Sequence, residues 1–78
     1  MTIEFIETER FKRRFRKLNK NERNSANKQL CLFADDPFYP SLQTERLVGN
    51  VYASIVTDDI RFTWEFGKEK STVILMNI

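Results

Sequence analysis

Residues 60–66 alternate strictly, with Ile60, Phe62, Trp64 and Phe66 on one side and Arg61, Thr63 and Glu65 on the other. This is the period of a strand with one covered face. A slip of one residue would turn four large apolar side chains to water. The chain must therefore build a sheet, and something must cover one side of it. Two upstream segments can do so. Phe11, Phe15 and Leu18 recur at i, i+4, i+7, as do Ala26, Leu30 and Phe33. That spacing predicts helices over Arg10 to Lys20 and from about Glu22 to Phe33 or Ala34. Thr8 is a natural N-cap for the first. Asn19-Lys20-Asn21 is a polar break, and either asparagine can cap the second.

The remaining elements follow from local chemistry. Thr2 to Glu7 reads as a short strand with Ile3 and Phe5 on one face. Asp35-Asp36-Pro37 ends the second helix, since proline cannot continue it. Residues 37–50 hold Pro37, Pro40, Ser41, Gly49 and Asn50. They read as a surface loop with Phe38, Tyr39 and Leu42 tucked beneath it. Val51 to Thr57 is a strand, Asp58-Asp59 a turn, Gly67 to Lys70 a second hairpin loop, and Ser71 to Ile78 a β-branched final strand. The fold class is α+β in the order β-α-α-β-β-β. A two-helix hairpin lies on a three-stranded antiparallel meander, and the N-terminal strand joins the same sheet.

Seventy-eight residues make one domain, 1–78, with one modest core. Seven Phe, two Tyr and one Trp fill such a core economically. A single cysteine, Cys31, and no histidine leave no disulfide staple and no structural zinc site. Without histidine, Ser-His and Cys-His catalysis is excluded. Gly occurs only twice, and neither a P-loop nor a GxGxxG is present. The acidic start is unlike a signal peptide, and no apolar run approaches a membrane span. A cytoplasmic protein with no membrane association is expected.

The net charge of +2 conceals a division. Residues 10–28 carry nine basic side chains against Glu22 alone, a local charge of +8, and the rest of the chain carries −6. A cationic segment of this kind attracts polyanions without sequence preference. Its other reading is a solvated helix face. Arg61 sits mid-strand between Ile60 and Phe62, where its planar fork suits a phosphate. The alternative is an exposed strand residue paired with Glu65 or an acid on the next strand. Glu45, in the 37–50 loop, is either a general base or a solvated carboxylate. Phe62, Trp64 and Phe66 lie opposite Arg61 and read as core, not as a base-stacking platform.

The ordered set of segments resembles the RelE/ParE superfamily of bacterial toxins from toxin–antitoxin pairs. The pieces are Asp36-Pro37 with Pro40-Ser41-Leu42, then Glu45-Arg46-Leu47-Val48-Gly49-Asn50, then Val51-Tyr52-Ala53-Ser54-Ile55. Asp58-Asp59-Ile60-Arg61-Phe62-Thr63-Trp64-Glu65-Phe66 and the closing Val73 to Ile78 complete the set. The resemblance spans nearly the whole chain through short, degenerate pieces. It implies a ribosome-dependent messenger RNA endonuclease that inhibits translation. In it the ribose 2′-hydroxyl attacks the adjacent phosphate, without a metal or other cofactor.

On the same analogy Arg61 matches the family's mid-strand phosphate-binding arginine, and Glu45 looks like its loop general base. Arg13, Arg14, Arg16 and Lys17 would contact ribosomal RNA. A cognate antitoxin, the ribosome and messenger RNA are the implied partners. The family's other branch, ParE-like inhibitors of DNA gyrase that perform no chemistry, is the alternative, followed by an inactive nucleic-acid or protein-binding module. Two features depart from the active members. Ala53-Ser54-Ile55 stands where they often carry a second arginine or lysine. The sequence stops at Ile78 where many continue into a tail with His, Asp or Tyr, so a weakened activity is expected. The governing expectation, on which the RNA-binding role is made to rest, is a cradle with the Arg61 guanidinium flanked by the cationic helices.

Overall fold

A computed structural model describes residues 3–78. Thr2, the first residue of the expected initial strand, lies outside them. The elements are β1 (Glu4–Glu7), α1 (Glu9–Lys17), α2 (Lys20–Asp35), a 3-10 turn (Pro40–Leu42), β2 (Glu45–Val48), β3 (Val51–Ile55), β4 (Arg61–Phe66) and β5 (Thr72–Asn77). The sheet order is β1-β5-β4-β3-β2. β2 to β5 form an antiparallel meander, and β1 runs parallel to β5. The expected element order holds, with one strand more than expected.

Both helix starts are built as their caps dictate. The Thr8 hydroxyl accepts the Phe11 amide at 3.2 Å. The single proton of the same hydroxyl is shared between the carbonyls of Leu75 and Met76, at 2.9 and 3.1 Å, so the cap also fastens α1 to β5. Asn19 and Glu22 form a reciprocal capping box, both bonds at 2.8 Å. α1 stops at Lys17, three residues short of the expected end, because Leu18 turns to an extended conformation. α2 therefore begins at Lys20. Asn19→Ala is expected to cost about 1 kcal/mol, lowering Tm by roughly 4–8 °C in a domain of this size. Thermal melts followed by circular dichroism measure it, and an unchanged Tm refutes the box as a stabilising cap.

The core lies between the helices and one face of the sheet. Phe11, Ala26, Phe33, Leu42, Phe62, Trp64, Val73 and Leu75 are buried there, with Phe5, Phe15, Leu18 and Leu30 packed against them. Phe33 is the hub, its ring 5.7 Å from Phe5, 5.4 Å from Phe62 and 4.8 Å from Trp64. Trp64 stacks on Tyr52 at 4.6 Å. Gln29 of α2 donates to the carbonyls of Ser41 and Ile55, tying the helix to the 3-10 turn and to the end of β3.

The segment 37–50 is not the plain loop expected. Leu42 is buried, but Phe38 and Tyr39 stay exposed. Residues 45–48 form β2, paired with β3 through Glu45–Ala53, Arg46–Tyr52 and Val48–Val51, with a bulge at Leu47. Gly49 and Asn50 make the two-residue turn, and Gly49 has φ +56°. A two-residue hairpin turn needs a positive φ at its first position, where glycine fits without strain.

Candidate functional site

The pleat decides which side chains share a surface. Phe62 and Trp64 point to the helices, so Arg61 and Thr63 point the other way. Cross-strand register extends that open face. Arg61 pairs with Ile55, Thr63 with Ala53 and Asn77, and Glu65 with Val51 and Ile74. Glu45 pairs with Ala53, and so stands on this face also. Glu45 is thus a strand residue, which corrects its placement in a loop. It is held there by the backbone ladder to β3.

Arg61 and Glu45 meet across the intervening β3, with Arg61 Nη1 3.6 Å from Glu45 Oε1. Both side chains are well exposed, at 62% and 59%. The acid beside Arg61 is therefore neither Glu65 nor a residue of the adjoining strand. An exposed pair of this kind stabilises a fold by only about 0.2–1 kcal/mol, so its geometry is available for other work. The guanidinium has its remaining donors free to meet an anion, and the carboxylate can accept a proton beside it.

The four helical candidates lie elsewhere. Arg13, Arg14, Arg16 and Lys17 are exposed on α1, whose Phe11 is buried against the opposite face of the sheet. Arg14 donates from Nε to the Ile78 carbonyl at 3.0 Å. The expected cradle, with cationic helices flanking Arg61, does not form. The reason is the alternation itself: the helices cover the aromatic side of β4, and Arg61 is on the other. Among the described strand residues of the open face, Arg61 is the one cation, and it shares that face with Glu4, Glu45 and Glu65. Arg46 is on the other side of β2, its Nε donating to the Gly49 carbonyl at 2.6 Å.

Sequence reasoning missed Thr44 and Ser54, the inward-facing neighbours of Glu45 and of its cross-strand partner Ala53. Ser54 is fully buried. It accepts the Trp64 indole N–H at 3.0 Å and lies 2.7 Å from the Thr44 hydroxyl. A serine between Ala53 and Ile55 in a core strand, ten residues before the single tryptophan, was the available signal. Among the described residues no group of His, Cys, Asp and Glu is placed to hold a metal ion, and no helix is long and apolar enough to cross a membrane. Cys31 is exposed and unpaired in a disulfide.

No family model matches the sequence, and no curated protein matches it. Solved structures do. A YoeB/ParE toxin from Agrobacterium tumefaciens superposes with a TM-score of 0.81 over 96% of this chain and 94% of its own, at 12% identity. The archaeal RelE of a RelE–RelB complex from Pyrococcus horikoshii gives 0.74 over 99% and 92%, also at 12% identity. The E. coli toxin RelE, solved free as a double arginine-to-alanine mutant, gives 0.75 over 99% and 81%, at 22% identity. From its initial strand and helix pair to its five-stranded mixed sheet, this chain has the fold of the RelE/ParE toxins.

Proposed function

We propose that this protein is the toxin of a toxin–antitoxin pair and that it cleaves messenger RNA on the ribosome. The observation that carries the reading is the Arg61–Glu45 pair, side by side and solvent-facing on a rigid sheet. In the proposed reaction the Glu45 carboxylate takes the proton of a ribose 2′-hydroxyl. The freed oxygen attacks the adjacent phosphorus, the bond to the next nucleotide's 5′-oxygen breaks, that oxygen leaves with a proton drawn from water, and a cyclic phosphate results. Arg61 holds the non-bridging oxygens and stabilises the charge that builds on them. The chemistry requires no cofactor.

Arg13, Arg14, Arg16 and Lys17 take a separate part. Lying across the sheet from Arg61, they dock a second stretch of phosphate backbone, for which ribosomal RNA is the candidate. The RelE neighbour from Pyrococcus horikoshii was solved with RelB, which supports a cognate antitoxin as the partner of this chain. The cytoplasm is where such a target and partner are met.

One observation favours a second reading. Arg61 shares its face with three carboxylates, and a phosphate backbone is repelled by them. A ParE-like inhibitor that binds DNA gyrase and performs no chemistry would not need a cationic face there. Adding the purified chain to a ribosome-containing translation extract separates the two. Arrested synthesis with cut messages is the expected result. Whole messages together with blocked gyrase supercoiling would establish the second reading instead.

A further inference from the structure

Three hydroxyl and indole groups run in line beneath the Arg61–Glu45 pair. The Thr44 hydroxyl is 2.6 Å from the Pro37 carbonyl, the Ser54 hydroxyl is 2.7 Å from Thr44, and the Trp64 indole nitrogen is 3.0 Å from Ser54. Proton counting fixes their direction. A carbonyl only accepts and a hydroxyl has one proton to give, so Thr44 donates to Pro37. Ser54 must then donate to Thr44, and the indole N–H, a donor only, donates to Ser54. Each proton in the line is used once, and among the described residues no buried side-chain polar atom is left without a partner.

The line ends next to the site. Thr44 immediately precedes Glu45, and Ser54 immediately follows Ala53, the cross-strand partner of Glu45. The pleat sends Glu45 and Ala53 outward and leaves the hydroxyls inward. Beyond its backbone ladder to β3, β2 has little to hold it: four exposed residues, a bulge and a sheet edge. We infer that Thr44 is a positioning residue, which through Ser54 and Trp64 sets the Glu45 carboxylate against Arg61. Its catalytic consequence rests on the ribonuclease reading above, whereas its structural part does not.

The test uses the full chain with Thr44→Val, which removes the hydroxyl, Thr44→Ser, which restores it, and Glu45→Gln as reference. The first readout is the Arg61 side-chain Nε–H resonance in a nitrogen-15 spectrum, which senses the neighbouring carboxylate. Thr44→Val is expected to move it in the direction that Glu45→Gln does, and Thr44→Ser to leave it near the native position. The second readout is cleavage. Thr44→Val is expected to lower kcat towards the roughly 10²-fold loss that a 1 Å misplacement can cost. KM should stay unchanged, since Arg61 is untouched, and Thr44→Ser should recover the rate.

The resonance decides the proposal whether or not RNA is cut. A native-like Arg61 signal in a folded Thr44→Val overturns it. The expected shifts in a protein that cuts no message keep the positioning role and remove the ribonuclease reading. Should Thr44→Val not fold, Ser54→Ala interrupts the same line one step further in. A native-like signal in that variant also overturns the proposal.

Discussion

Phe33→Ala is expected to destabilise the fold severely, with a urea midpoint well below that of the wild type. Phe33 has no exposed surface, and its ring touches aromatic partners on β1 and β4 from its own place on α2. Truncating it removes the contact that joins α2 to β1 and β4. Buried phenylalanines cost about 3–5 kcal/mol on truncation to alanine. A chain of 78 residues has a total stability of about 4–12 kcal/mol, so the loss takes from about a quarter of it to all of it. Urea titration of the wild type and variant measures this as a fall in the midpoint at constant slope. A cost below about 1 kcal/mol would mean that the core can collapse around the gap, contrary to the packing described.

Arg61→Ala should do the opposite: keep the fold and remove the activity. Its side chain is mostly solvent-exposed, and surface substitutions usually change stability by within about 0.5 kcal/mol. If Arg61 holds the phosphate in the transition state, losing it should lower cleavage by about 10²–10³-fold, as the loss of a charge-stabilising donor does elsewhere. Glu45→Gln keeps the shape of the site and removes the base, for an expected loss of about 10²–10⁴-fold. The check is a single-turnover cleavage assay on ribosome-bound message, with unfolding curves run alongside. Full activity in a folded Arg61→Ala would show that the open face of the sheet is not where RNA is cut.

Much of the fold was legible because its signals are periodic and local. The 60–66 alternation, the two helical stripes and the caps at Thr8 and Asn19 each state their structure within a few residues. β2 was not legible by the same means. Glu45-Arg46-Leu47-Val48 has no alternation, because a bulge interrupts it and both of its faces are exposed. What makes it a strand is its neighbour β3 and a turn. Gly49-Asn50 between two apolar pairs was a hairpin signal that outweighs the prolines upstream. The parallel pairing of β1 with β5 was equally hidden, since it depends on residues at the far end of the chain.

The proposed site could be read from the sequence in its candidate members more than in their arrangement. Arg61 and Glu45 were each identifiable, and the structure brings them together. The four cationic residues of α1 were identifiable too, and the structure keeps them apart from Arg61. That separation was already implied by the sequence. If Phe62 and Trp64 are the core, the helices that cover them cannot also flank Arg61.

The pairing of β1 carries a consequence for biosynthesis. Among the described residues its sole sheet neighbour is β5, and Glu4 waits for Thr72. Until the Thr72–Asn77 stretch has cleared the exit tunnel, the opening strand of a nascent chain has nothing to zip against and β4 has an unclosed side. Contacts this distant along a polypeptide form late. The sheet can therefore close only after the Thr72–Asn77 stretch has been made and has emerged.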